Sequence, residues 1–490
     1  MNRNYHLLRR ISPFVATGLC LLVAASTAFS SVQDGIKLYK DGKIDEAIAV
    51  LSETAQSDPN DAASRRWLGF LLVDRGRHAE AVKTLLEARA LKMDGPDLRF
   101  NLGTAYAGTG DYKQAVTEFE YALKLRKNWV DAQSSLGSAY LNLGEHEKAT
   151  AAFAKSVLLA PNDAGVHNDL GLALQGSGKL DAAIAELRKS SQLEPGNSLY
   201  AANLGLALRA KKDNAGAQAA FEKSIKADPN NYVARTGLAG IFAAMGKDDE
   251  ALAQYEAAAK IKPDDFTSEY NLGVLYSKKA SFAEAANAFR SALKANPNDA
   301  EALAYLGWAQ FKAGNTDDAV TSLQQAVAKD PKQAAAWQNM ATIYTLQKKN
   351  SEAINAWEKT LTFTPGNAGA LTNLGYLYLT SGQYDKAAEK YQAAVKADPK
   401  SGEALFGLGA SFSKLGKTDE AIEQYRKAIV AAPKMASAYN NLGVELEKKG
   451  KNDEAKEQYR KALQVDPKNA EATKNLERFG ERPGLVNPGA

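Results

Sequence analysis

The chain has 490 residues, beyond the roughly 250 to 300 at which a single compact core stops growing, so one globular domain is excluded. Its 61 basic and 57 acidic residues nearly cancel, and Arg3, Arg9 and Arg10 precede any regular pattern; the near-neutral remainder lacks the basic footprint of a nucleic-acid binder. One cysteine, Cys20, leaves no internal disulfide framework to form.

At the amino terminus, Arg9-Arg10 precede an apolar stretch from Phe14 to Ala25 and then Ser26-Thr27-Ala28, the charged, apolar and small-residue order of a secretory signal. Residues 1–28 are therefore expected to be a signal peptide cut between Ala28 and Ser31, giving an exported protein, periplasmic or secreted. The run is short of the roughly 20 residues of a membrane span, so a membrane is involved only if the segment stays uncleaved as an anchor. Cys20 lies inside this run, and the bulky Leu19 before it argues against lipoprotein processing.

From residue 29 onward the sequence repeats. Prolines fall every 34 residues from Pro161 to Pro467, Pro59 is in phase with them, and Met93 and Lys127 replace the two between. An alanine recurs at the same period from Ala47 to Ala455 without a break, which counts thirteen repeats over 29–469. Leu-Gly pairs such as Leu102-Gly103, Leu272-Gly273 and Leu442-Gly443 form a third series, with Ala239 and Ala341 replacing the glycine twice. A turn, commonly glycine as at Gly110, Gly144 and Gly382, stands between two amphipathic runs, so each repeat is predicted to be two helices, the second ended by proline. One such pair cannot bury its apolar face alone, whereas a stack of them shares a continuous core. Segment 470–480 opens a fourteenth first helix but places Glu477 where the glycine belongs, which predicts a capping helix with a polar outer face, and 481–490, with Pro483, Gly484, Pro488 and Gly489, is expected to be a disordered tail.

These recurring positions, present together in stretches such as NLGVLYSKKASFAEAANAFRSALKANPND, make the chain resemble the tetratricopeptide-repeat family over roughly residues 28–469. The resemblance implies an all-α fold, a right-handed α-solenoid whose first helices line a concave groove. It is similar in particular to the superhelical arrays of O-linked N-acetylglucosamine transferases, but nothing remains here to form their catalytic domain.

No catalytic pattern offsets that reading. The four histidines are scattered; Gly176-Ser177-Gly178-Lys179 is followed by Leu180 where a phosphate loop needs Ser or Thr; no Gly-x-Ser-x-Gly elbow occurs. Neither an enzyme activity nor a cofactor nor a metal is expected.

The binding surface is sought in the groove. Family geometry directs inward the residue before each Leu-Gly, and those three and six further on. The first of these is Asn at 101, 203, 271, 339, 373 and 441, a carboxamide series suited to pairing with the backbone of an extended peptide, interrupted by Trp67, Gly237, Tyr305 and Gly407. Repeat nine departs furthest: Tyr305, Trp308 and Phe311 share a helix face, although Gln310 at the usual aromatic core position gives Phe311 a reason to turn inward. Tyr305 and Trp308, with neighbouring Tyr270, Asn271, Asn339, Asn373 and Tyr376, are the predicted ligand groove. Trp67 and Phe70, which alternatively pack against the first repeat, and Asn101, Asn203 and Asn441 are secondary candidates. A clamp for a carboxyl terminus is not expected, because the only basic residue at its first position is Arg66, and Phe70 follows where Asn is needed. The partner is expected to be an extended protein segment, with a glycan of polysaccharide export or wall assembly as the alternative and self-association through the ends as a third reading.

Overall fold

A computed structural model describes residues 31–263 and 265–480. The expected signal, with Arg9-Arg10 and Cys20, and the expected tail 481–490 lie outside the described residues. Among the described residues there are 27 helices, α1 (Val32–Lys40) to α27 (Ala470–Glu477), and no strand, so the chain is an all-α array of helix-turn-helix repeats. The pairs run from α1 with α2 (Ile44–Ser57) to α25 (Ala436–Lys448) with α26 (Asn452–Val465), and α27 follows. The array divides into two compact units, residues 1–220 and 221–490, each described by itself below.

Local chemistry fixes the helix boundaries. First helices are capped by the short polar residue two places after the proline: Asp61, Asp163, Asn197, Asn231, Asp265, Asp299, Asn367, Ser401 and Asn469 each accept a first-turn backbone N–H. The residue just before the proline is held extended, as at Asp330 (φ −130°) and Asp398 (φ −134°), where proline disfavours helical backbone. Between the two helices of a pair the chain turns through a left-handed residue, glycine at most turns (Gly110, φ 84°; Gly178, φ 74°) but Lys212, Ala280 and Lys348 at three. The Gly176–Lys179 segment is one of these turns.

Where repeats two and three lack proline, charge takes its place. The α4 helix (His78–Ala90) ends early, Lys92 turns left-handed at φ 63°, and Pro96 opens α5 (Pro96–Gly108). The buried carboxylate of Glu118, on α6 (Tyr112–Leu125), then accepts from both Arg89 and Arg99 at 2.8 Å, while Arg99 also binds Asp94. The Asp94 hydrogen bond, with Glu118 behind it, drives the Arg99 guanidinium still further from deprotonation.

The core is one contact repeated. The Leu-Gly glycine of each first helix faces a large buried side chain sixteen residues later on the second: a Cβ on Gly103 would lie 2.7 Å from the Phe119 ring, and one on Gly273 2.6 Å from Phe289. Glycine is needed because the rings are fully buried and have nowhere to go. A second link joins successive repeats: Tyr140 donates to Glu120 (2.6 Å), Tyr276 to Glu256 (2.7 Å) and Tyr378 to Glu358 (2.5 Å). At the carboxyl end α27 lays buried Ala472 and Leu476 against the array.

Candidate functional site

In the second unit, α17 (Ala300–Lys312) and α19 (Ala334–Leu346) are consecutive first helices, separated by α18 (Thr316–Lys329). An open cavity of about 670 Å³ lies between their amino-terminal halves and the loops that precede them. Tyr305 and Trp308 of α17 and Asn339 of α19 line it together, so three residues that stand 34 or fewer apart in sequence converge on one space.

Tyr305 is 39 % exposed, unusually open for an aromatic in this array. One of its faces stacks on Phe289 at 5.5 Å between centroids, and Tyr270 meets it edge-on at 5.8 Å, which leaves the opposite face toward the cavity. Phe289 belongs to the second helix of the preceding repeat, α16 (Phe282–Ala295), so core packing braces the ring. Trp308 is half-buried, and the Lys312 ammonium sits 5.6 Å from its ring centroid and equally far from that of Phe282. The rim of the cavity is acidic and amidic: Asp299, Glu301 and Asp330 line it with Asn296 and Gln333.

The other predicted residues stand apart from the cavity. Tyr270 is half-buried, stacked on Phe266 at 5.4 Å, and burial with the nearby Glu301 carboxylate pushes its hydroxyl well above the usual range, so it supports the wall without lining it. Asn271 donates to the Thr267 carbonyl of its own helix at 2.7 Å. Asn373 and Tyr376 are exposed two repeats further on and do not reach the cavity. Phe311 does not line the cavity: it is half-buried, its ring meets that of Trp308 at 5.6 Å between centroids and packs against the core, while Gln310 is buried and accepts from the Ser322 hydroxyl at 2.7 Å. Of the three aromatics, Tyr305 and Trp308 line the cavity and Phe311 backs Trp308.

The asparagine series is partly committed to the protein itself. Asn203 donates to Asn168 at 2.7 Å, and Asn441 to the Tyr425 hydroxyl at 3.5 Å. Asn101 is half-buried in the first unit. Its interruptions have a packing cause: a Cβ at Gly237 would lie 2.5 Å from the Phe221 ring, and one at Gly407 2.2 Å from Tyr391. The aromatic of the preceding second helix fills those positions, as Phe289 underlies Tyr305. At the amino end, Trp67 and Phe70 pack with Tyr39 of the first repeat, with centroids 5.5 to 6.3 Å apart, and so serve the core there.

Of the histidines, His167 is buried and bonded at both ring nitrogens, to Glu186 (2.6 Å) and to the Pro161 carbonyl (2.9 Å). His78 and His146 pack into the spaces left by Gly108 and Gly176 of the next first helix. Among the described residues no cluster of three or more His, Cys, Asp or Glu is placed to hold a metal, and no helix is long and apolar enough to cross a membrane.

Sequence reasoning missed the three rim carboxylates. Asp299 and Asp330 occupy framework positions, a helix cap and the residue before proline, and their place at the mouth of a cavity depends on which side chains line the helices beside them.

Family models, each described as a tetratricopeptide repeat, match residues 100–165, 168–232 and 372–436; 38–102, 208–271 and 279–343; and 436–469. No curated protein matches the chain. Among solved structures, it is similar to YrrB, described as a TPR protein with an unusual peptide-binding site, at 25 % identity over 40 % of this chain and 100 % of that one, with a TM-score of 0.37. The Cut9–Hcn1 hetero-tetramer of the APC/C aligns over 91 % of this chain and 95 % of the other at 14 % identity and a TM-score of 0.39. MamA of Desulfovibrio magneticus RS-1 aligns over 35 % and 96 % at 30 % identity and a TM-score of 0.33.

Proposed function

The chain belongs to the tetratricopeptide repeat family, and from that premise we propose that it is a non-catalytic interaction scaffold that takes an extended segment of a partner protein between the first helices of repeats nine and ten. The observation that carries this reading is the meeting of Tyr305, Trp308 and Asn339 around one open cavity. Aromatic anchors braced by a packed core lose little freedom on binding, and such residues contribute about 2 kcal/mol or more each at interface hot spots. The carboxamide of Asn339 supplies a donor and an acceptor for a peptide backbone lying across the cavity.

The scaffold is proposed to work outside the cytoplasm, on the strength of Arg9-Arg10, the apolar run Phe14 to Ala25 and the small residues that follow. Amino-terminal sequencing of the protein recovered from its natural source tests this: a first residue between 29 and 31 supports export, and an intact Met1 overturns it.

The groove is tested by affinity capture from envelope extract with residues 29–490 as bait, beside a variant carrying Tyr305→Ala, Trp308→Ala and Asn339→Ala. A partner retained by the parent and lost by the equally helical variant supports the site. Identical retention by both moves binding elsewhere on the array. A second reading, a glycan ligand, is favoured by the amides and carboxylates around the aromatic pair; a captured ligand that survives protease and is lost on glycosidase treatment establishes it.

A further inference from the structure

The rim of the cavity has a charge that its framework origin conceals. Asp299, Glu301 and Asp330 all line it, and no lysine, arginine or histidine does. All three carboxylates are partly engaged within the protein: Asp299 caps the Ala302 N–H at 2.8 Å and accepts from the Asn296 amide at 3.4 Å, Asp330 accepts from the Lys332 N–H at 2.9 Å, and Glu301 accepts from the Tyr270 hydroxyl. Their remaining lone pairs, and the full negative charges, stay at the mouth. The amino ends of α17 and α19 oppose this with roughly half a positive charge each, so about two net negative charges remain. Lys312, the cation nearest the aromatic pair, is outside the lining, held between Trp308 and Phe282.

The neighbouring first helices add no positive charge beside the cavity. The adjoining segments of the neighbouring first helices, Thr267 to Val274 on one side and Ala335 to Thr342 on the other, hold no lysine or arginine. A carboxylate or phosphate entering here would lose its hydration and meet like charge. A cation meets the open face of Tyr305, the ring of Trp308 and three carboxylates at once, and both kinds of contact strengthen as water is displaced.

We propose that this cavity selects a lysine or arginine side chain, so that the partner is an extended segment with a basic residue seated between Tyr305 and Trp308 under Asp299, Glu301 and Asp330. The inference rests on the peptide-groove reading above and adds the chemistry of the residue it holds.

The test uses peptides of about nine residues, long enough to cross two repeats, identical except for Arg, Lys, Gln or Glu at the centre, with a neutral chito-oligosaccharide as a further probe. Titrated into residues 29–490 by calorimetry, the Arg and Lys peptides are expected to bind at least about 10-fold more tightly than the Gln and Glu peptides. The gap should shrink as salt rises from about 50 to about 300 mM, since the rim is open to solvent. It should vanish in Asp299→Asn, Glu301→Gln, Asp330→Asn, which keeps shape and the helix cap while removing charge. In Tyr305→Ala, Trp308→Ala all peptides should weaken. If the Gln peptide binds as well as the Arg peptide and only the aromatic variant matters, selection of a cation is overturned and the groove stands. If no peptide responds to either variant, or the oligosaccharide alone binds, both readings fall.

Discussion

At the scale of single residues, the array is governed by what stands opposite each glycine. Gly273 has no room for a methyl group because the Phe289 ring would lie 2.6 Å away. Gly273→Ala is therefore expected to lower stability by about 1 to 3 kcal/mol, read as a lower urea midpoint at unchanged slope. Ala239 and Ala341 already carry that methyl, opposite Tyr255 and Trp357, so the cost belongs to the Phe289 pairing and not to the position as such. Buried hydroxyls set a second expectation. Burial, helped by Glu256, pushes the Tyr276 hydroxyl up to about 12, and burial raises Tyr425 to about 12. A raised folded-state value means the neutral hydroxyl is the favoured form; that stabilisation is whole below the ordinary tyrosine value near 10 and is lost as pH rises through about 12. The tyrosinate absorbance contributed by these two side chains should accordingly appear only as pH approaches about 12, and together with loss of helical ellipticity. Tyr305 and Trp308 were legible in the sequence because they depart from a repeated background. Gly237 and Gly407 were legible as departures without a cause, since the ring that occupies each space comes from the repeat before.

At the scale of the helix pair, turn and cap chemistry were open to reading and the exceptions can be tested. Ala280 and Lys348 hold left-handed backbone at φ 59° and 58°, where a side chain clashes with its own carbonyl. Ala280→Gly and Lys348→Gly should each raise stability by about 1 kcal/mol, measured as an upward shift of the denaturant midpoint. Met435 stands where other first helices have a capping side chain and makes no cap bond; Met435→Asp is expected to add a similar amount, about 1 kcal/mol, by satisfying a first-turn N–H. The ionic junction at Glu118 is the opposite case. It is buried between two arginines, and Glu118→Ala should cost about 2 to 3 kcal/mol because it removes the carboxylate that Arg89 binds and leaves Arg99 with Asp94 alone in a partly dry site. No pattern in the sequence foretold that junction: the missing prolines marked where something differed, while the pairing spans 29 and 19 residues.

At the scale of the whole chain, the period made the architecture readable at once, since a stack with neighbour contacts only writes the same requirements every 34 residues. The division at 220 and 221 falls inside the helix Asn214–Ala227, where the period runs on unbroken, and so left no trace in the sequence. The last helix, Ala470–Glu477, packs against a second helix whose Tyr459 and Ala462 are fully buried. Removal of residues 470–490 is expected to uncover that face, lower the thermal midpoint and give rise to larger particles in light scattering. From α5 onward every first helix has thirteen residues and every second helix fourteen, up to the last pair. Equal lengths make the units interchangeable in register, so unequal crossing-over between two copies can drop or duplicate one 34-residue block without a frameshift or a misplaced turn. A deletion taking out repeat nine would shorten the array and remove the proposed aromatic seat in the same event, whereas loss of a distant block would leave Tyr305 and Trp308 in place.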